Sequence, residues 1–393
     1  MFRTRPAIPL FALALAGAGC GWAQAIVDPE VTPRVSPAFG EIQNKTPLEG
    51  QVRLLKPHLN FGFRFQVGYA ASLPYRQFAA SRQRLGVALR ITPKDSGEPV
   101  YFVQAVPLPP RIPEGTKEKL DIEGGFQVGE GRYTVEWALF DESGRCLRKQ
   151  WEIEARSPGR NVRVAQPPGK ISPLALNPGE ILKPRDASAR PLRVTVLLHV
   201  APLYTRSTRL RSFDRFLLLS SLVWLLEESP FTSVKLVAFN LDQQKEIYRQ
   251  ENFDGPGYGR LASAMANIEL GTVPIETLRR RTGHIDMLAR MLNEERTAAE
   301  PADAILFVGP GARQFDKFPP SMIAAANAPA PKVFYFEYFP YWGRHAEFPD
   351  SIDHATRAVA GKTWHIHSPS ELADAVRSLA RELGLQQSSA ADQ

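Results

Sequence analysis

Two hydrophobic rhythms divide the chain. Between residues 61 and 155 apolar side chains alternate with polar or small ones: Phe61, Phe63, Phe65, Val67 and Tyr69 interleave with Gly62, Arg64, Gln66 and Gly68, and Leu85, Val87, Leu89 and Ile91 repeat the period of two. Successive strand residues point to opposite faces, so this period predicts strands buried on one side. Further strand-like runs occupy 100–106, 120–122 and 126–128. A hairpin pairs Tyr133, Val135, Trp137 and Leu139 with Leu147, Trp151, Ile153 and Ala155 across the turn Asp141-Glu142-Ser143-Gly144. Many short strands separated by Gly and Pro predict an antiparallel β-sandwich of immunoglobulin-like type over 51–156. Gly129-Glu130-Gly131-Arg132-Tyr133 has the form of a tyrosine corner, with Tyr133 returning its hydroxyl to the backbone.

The rhythm changes after residue 191. Apolar runs at 192–200, 233–240, 304–308, 333–338 and 363–367 alternate with helical patterns at 211–228, 261–268 and 285–296, a short one near Met322, one from Ile352 and a last one ending at Leu383. A short strand at 246–249 reads as an antiparallel edge. Ser368-Pro369-Ser370-Glu371 is a capping box with Pro at the first helical position. Strands and helices of these lengths in alternation predict a doubly wound, Rossmann-like α/β domain over 191–385, with a mostly parallel sheet covered on both faces. Between the two domains, 157–190 carries six prolines and three glycines and is expected to be a linker. Residues 26–50, with Pro29, Pro33, Pro37 and Pro47, are expected to be an extended leader, and 386–393 a disordered tail.

The first 25 residues combine Arg3 and Arg5, an apolar stretch and Ala23-Gln24-Ala25, the order of a signal peptide with its cleavage site. A periplasmic or secreted protein follows. Lipid anchoring through Cys20 is the less favoured alternative, because Gly17 stands where a lipobox carries an aliphatic side chain. Cleavage would leave Cys146 as the one cysteine, so no internal disulfide is expected. The net charge of +7 is dispersed along the chain, Arg279-Arg280-Arg281 standing alone, which argues against a nucleic-acid stripe. No later segment has the length of a membrane span.

The order of elements in the second domain resembles a von Willebrand factor A-type domain, and the whole layout is similar to secreted bacterial proteins of that family, of acidobacterial type. The resemblance implies a metal-dependent adhesion site with Asp-x-Ser-x-Ser after the first strand, a Thr from a middle loop and a later Asp. This chain has His199-Val200-Ala201-Pro202-Leu203 at the first position and Gly309-Pro310-Gly311 at the last, and retains at most Thr272. Hard cations need oxygen ligands, so the site reads as degenerate and the family's metal is not carried over.

The ligand edge of such a sheet lies at the carboxyl ends of its strands, and that edge reads as empty of carboxylates. We therefore expect a non-enzymatic extracytoplasmic protein that binds a protein partner or serves in adhesion or as a scaffold, with no catalytic residue, metal or cofactor. Tyr204, Arg206, Thr272, Arg313, Tyr341, Trp342 and Arg344 are the candidate interaction residues, since loop aromatics and arginines anchor interfaces. Burial of the aromatic loop in the core is the opposing reading. The alternative function is a metal-dependent hydrolase using His365 and His367 with His345, Asp350, Glu337 or His354.

Overall fold

The computed structural model describes residues 25–26, 47–78, 85–95, 97–106, 108, 118–157, 162–174, 192–203, 207, 210–229, 231–270, 277, 279–327, 329–339 and 348–384. The chain divides into two units, Met1–Leu176 and Asn177–Gln393.

The first unit is two antiparallel sheets. One runs in the order β1 (Ala25–Ile26), β6 (Val100–Val106), β5 (Leu85–Pro93), β8 (Gly131–Asp141) and β9 (Cys146–Ala155). The other runs β10 (Ile171–Pro173), β7 (Lys119–Val128), β4 (Phe65–Pro74) and β2 (Gln51–Leu54), with β3 (His58–Leu59) also on β4. Strict alternation of buried and half-buried positions along β4 is the expected period of two. The inner faces meet through Tyr69 edge-on to Trp137 (centroids 5.9 Å) and Phe102 stacked on Phe126 (6.3 Å). In the hairpin Tyr133 lies opposite Ile153, Val135 opposite Trp151 and Leu139 opposite Leu147. The Tyr133 hydroxyl donates to the Gly129 carbonyl at 2.9 Å, closing the tyrosine corner.

Three stretches differ from expectation. The strand expected from Phe61 starts at Phe65, because the Asn60 side chain accepts the amides of Gly62 (2.9 Å) and Arg64 (3.1 Å) and turns the backbone, with Phe63 at φ 55°. Ile171–Pro173, within the expected linker, is an edge strand on β7, where a proline is tolerated. Where the expected signal peptide meets the expected leader, Ala25–Ile26 pairs with Val103 and Phe102, and within the expected leader Leu48 is buried with its amide on the Cys146 carbonyl.

The second unit is one six-stranded sheet in the order β13 (Lys245–Gln250), β12 (Ser233–Asn240), β11 (Arg193–His199), β14 (Ala304–Pro310), β15 (Lys332–Tyr338) and β16 (Lys362–Ile366). All neighbours are parallel except the antiparallel edge β13. The helices are α1 (Ser212–Glu228), α2 (Gly255–Ala266), α3 (Gly283–Arg296), α4 (Ser351–Ala358) and α5 (Pro369–Glu382). Leu288 and Leu292 of α3 and Ile352 and Ala355 of α4 pack with Leu197, Phe239, Ile305, Phe307 and Tyr335 on one face. Residues of opposite parity, Val196, Leu198, Leu306 and Val308, are equally buried, as a sheet covered on both sides requires. α5 starts as expected, with the Ser368 hydroxyl accepting the Glu371 amide at 3.3 Å.

This connectivity fixes where a site can form. From β11 the chain moves through α1 to β12 on one side, then returns to β14 on the other. The switch point therefore lies between the carboxyl ends of β11 and β14, where helices on opposite faces diverge. No helix among the described residues is long and apolar enough to cross a membrane.

Candidate functional site at the crest of the second sheet

At the switch point the backbones of β11 and β14 approach so closely that a Cβ on Gly309 would lie 2.5 Å from the His199 carbonyl oxygen, and Gly309 takes φ 143°. The next residue gathers hydrogen bonds. The Pro310 carbonyl accepts from His199 Nδ1 (2.8 Å) and from the Tyr335 hydroxyl (3.4 Å). His199 is stacked on Phe239 (5.3 Å), and burial pulls its imidazole below the ordinary value, so it is neutral with its proton on Nδ1. His199 thus supports the elbow from inside.

Beyond the elbow, side chains bind the crest loops together. Arg313 donates to the Ser207 carbonyl and lies 3.5 Å from Asp242, whose other oxygen accepts from the Gln314 amide (2.8 Å). Asp214, at the start of α1, accepts the amides of Arg211 (2.8 Å) and Leu203 (3.3 Å). Arg313, one of the seven expected interaction residues, therefore joins the loops after β11, β12 and β14. The other six, Tyr204, Arg206, Thr272, Tyr341, Trp342 and Arg344, lie outside the described residues.

The expectation of an edge empty of carboxylates is corrected at β15 and α4. Glu337 and Asp350 are 6% and 3% exposed. Asp350 caps α4 by accepting the Asp353 amide (2.7 Å), and its second oxygen accepts the Ala312 amide and the Tyr335 hydroxyl (3.2 Å). Glu337 accepts from His365 Nδ1 at 2.8 Å, its register partner on β16. Gly311 sits between the two acids: a Cβ there would be 2.6 Å from Glu337 Oε1 and 3.5 Å from Asp350 Oδ2. Burial first, then the Glu337 charge, pushes the Asp350 carboxyl up to about 7. The bond from Glu337 raises His365, and the tyrosine hydroxyl of Tyr335 is held protonated by burial beside Asp350.

Of the histidine set named for a hydrolase, His365 meets Glu337, with Asp350 beyond it. His367 packs on Phe339, whose ring is 5.5 Å from His365 and 5.2 Å from His367. His354 donates its amide to the Asp350 carbonyl as a helix residue, and His345 lies outside the described residues. With the oxygens of Asp350 occupied by protein donors, no group of three or more His, Cys, Asp or Glu among the described residues is arranged to hold a metal ion.

A second feature of the same edge escaped the hydrophobic pattern. Phe213, Phe315 and Phe348 are 46%, 52% and 71% exposed. Phe213 is in the first turn of α1, Phe315 follows Gln314, and Phe348 precedes the Asp350 cap. The Ser351 amide donates to the Gln314 carbonyl at 2.9 Å, which brings the loops of Phe315 and Phe348 side by side.

No family model matches this chain, and no curated protein matches it. Solved structures similar to it include the β-glucuronidase of Bacteroides uniformis, 10% identical over 79% of this chain and 38% of that one, with a TM-score of 0.19. Others are a glycosyl hydrolase family 2 member from Bacteroides cellulosilyticus (11% identical, 79% and 37% covered, TM-score 0.20) and a calcium-binding mutant of Bacteroides uniformis β-glucuronidase 2 (11%, 80% and 38%, TM-score 0.19). The chain spans less than two fifths of the length of each. The expectation of a non-enzymatic chain is withdrawn, because the proteins it matches are named as glycoside hydrolases. Likeness at a TM-score near 0.2 transfers no reaction, substrate or site to this chain.

Proposed function

We propose that this chain is an extracytoplasmic recognition protein that carries an immunoglobulin-like β unit and a second unit, of von Willebrand factor A type, which docks an acidic polypeptide at the crest of its sheet. One observation carries the reading. Of the four large apolar side chains exposed among the described residues, three stand at one sheet edge, Phe213 in the first turn of α1 and Phe315 and Phe348 on loops. Exposed aromatics grouped at a ligand edge favour interface formation over chance exposure. The strand order, with one antiparallel edge strand beside β12, supports the family reading.

Charge supports the acidic partner. Around the aromatics, Asp214, Glu337, Asp350 and Asp353 are buried, while Asp242 is engaged by Arg313 and Asp316 by His284 (3.0 Å). Arg211 and Lys317 are exposed at the same edge. Asp316 is also exposed beside Phe315, but Arg211 and Lys317 outnumber it among the outward charges of the described residues, an excess that steers and orients an anionic partner.

The test is a displayed random-peptide library selected on the whole chain. Enriched peptides should be rich in Asp and Glu with an aromatic anchor, and should lose at least tenfold in affinity, about 1.4 kcal/mol, for the triple variant Phe213→Ser, Phe315→Ser, Phe348→Ser. Peptides indifferent to that variant would place recognition elsewhere.

A second reading is favoured by the Glu337–His365 pair: a buried carboxylate orients an imidazole whose side chain is 52% exposed, the arrangement of a general base. Turnover of chromogenic esters or glycosides that disappears in His365→Ala would establish a hydrolase.

A further inference from the structure

Asp350 joins three parts of the crest: the loop after β14 through the Ala312 amide, β15 through the Tyr335 hydroxyl, and α4 through the Asp353 amide. The loop it grips carries Arg313 and Phe315, and Phe348 is two residues before it. Glu337 closes on the same point, with only Gly311 between the acids. Two carboxylates so close, both nearly removed from solvent, resist simultaneous ionisation. We propose that Glu337, Asp350 and His365 form a proton-operated brace for the crest: a proton on Asp350 keeps residues 311–316 seated against α4, and its loss lets that loop open to water. The inference deepens the recognition reading and rests on it for its biological sense, since the braced loop carries one docking aromatic.

The surrounding groups set the direction. Facing Asp350 from β15 are Glu337 and Tyr335. His365 on β16 balances one negative charge through Glu337. On α4, Asp353 is bound by Arg357 (2.8 Å) and by the Thr363 hydroxyl (2.6 Å), and its charge adds to that of Glu337 in raising Asp350. From α3, His284 pairs with Asp316 at the far end of the loop, and Arg313 pairs with Asp242 on its outer side. The Ala312 and Asp353 amides favour the ionised form of Asp350; burial and Glu337 oppose it and prevail. A Glu337 carboxylate with a protonated His365 and a protonated Asp350 is neutral as a set. Deprotonation of both Asp350 and His365 leaves two uncompensated negative charges beneath the loop, and water entering an opened loop solvates them.

The experiment is amide hydrogen exchange on the full chain from pH 5.5 to 8.5, with rates corrected for their intrinsic pH dependence. Protection of residues 311–316 should fall about tenfold or more between pH 6 and pH 8, while the β8–β9 hairpin stays constant. Asp350→Asn, which cannot ionise, should flatten the profile, and Glu337→Gln, which removes the neighbouring negative charge that holds the proton on Asp350, should move the midpoint to lower pH. A flat wild-type profile, an unchanged fall in Asp350→Asn or an upward shift in Glu337→Gln overturns the brace. Because exchange needs no partner, peptides indifferent to the Phe213, Phe315 and Phe348 variant would overturn the recognition reading and leave this result standing.

Discussion

The two units place their aromatic side chains in opposite ways. In the first, Tyr69, Trp137, Phe102 and Phe126 meet across the sandwich, and Leu55 is the large apolar side chain left exposed among that unit's described residues. In the second, Phe239, Phe307 and Tyr335 form an edge-to-face row inside the sheet, yet Phe213, Phe315 and Phe348 face water at its crest. Buried charge follows the same division. Glu136 lies between Arg90 and Arg148 (2.6 Å), two cations for one acid. Glu337 and Asp350 have one histidine between them. The sandwich pairs the acids it buries with arginines, whereas the crest keeps apolar surface in water and acids out of it, costs that stability alone does not select.

The comparison breaks most sharply in the sandwich core. Trp137 is fully buried and touches Tyr69 from the opposite sheet. Trp137→Ala should destabilise the first unit by about 3–5 kcal/mol, measured by denaturant unfolding. A loss below about 1 kcal/mol would mean that the sheets close over the vacancy, and that this core is no better packed than the crest.

The next effect is smaller and depends on pH. Asp350 is raised from 3.8 to about 7 in the folded chain, so the native state holds a proton that the unfolded state releases. Its contribution is present on the acid side and is lost as pH rises from about 4 through about 7. Between pH 6 and pH 8 that amounts to about 1 kcal/mol. His365, raised by Glu337, works in the same direction, losing its contribution as pH rises through its folded value. His199, lowered by burial, works in the opposite direction and loses stability as pH falls below about 6.5. The difference between wild type and Asp350→Asn isolates the acid: the gap should widen by about 1 kcal/mol from pH 6 to pH 8, in the variant's favour. A constant gap would show that Asp350 is ionised throughout, and the contrast in buried charge would disappear.

Much of this contrast is legible in the chain, but unevenly. Alternation along Phe65–Pro74 gives the sandwich, because one buried face imposes a period of two. Apolar runs such as Ala304–Pro310 give the central strands of the second sheet, because both faces are covered. The local turn at Asn60 and the edge strand Ile171–Pro173 were hidden, since one depends on side-chain bonds to the backbone and the other on a partner 43 residues away at Val128. At the crest, Glu337 is visible as a lone charge in an apolar strand, and Asp350 as a polar residue ahead of a helix. Their meeting is a product of sheet register and loop length, which residue types do not encode one by one. Phe213 was hidden for a different reason: it sits in the first turn of an otherwise buried helix, where the apolar pattern assigns it to the core.

Removing the three crest aromatics should separate binding from stability. Phe213→Ser, Phe315→Ser and Phe348→Ser should each change unfolding free energy by less than about 0.5 kcal/mol, since these rings lie largely in water. A loss of several kcal/mol in the triple variant, read by calorimetry, would assign the rings to packing and make the two units alike.

The smallest effect is expected at Arg76, whose guanidinium lies 3.0 Å from Glu49 with both side chains more than 60% exposed. A pair of this kind in water contributes between about 0 and 1 kcal/mol. The same contact is held independently of charge, because the Glu49 amide donates to the Gln77 side chain at 3.0 Å and the Gln77 amide returns to the Glu49 carbonyl at 2.8 Å. Arg145, nearby, is different: its guanidinium meets the fully buried Asp141 at 2.7 Å and covers the Phe78 ring. If pairing in the sandwich matters where the acid is buried, Arg76→Ala should shift the unfolding midpoint by an amount close to experimental error, and added salt should not change it. A salt-sensitive loss above about 1 kcal/mol would show that charge pins residues 47–50 to the first unit, and that its surface, as well as its interior, depends on compensated ions.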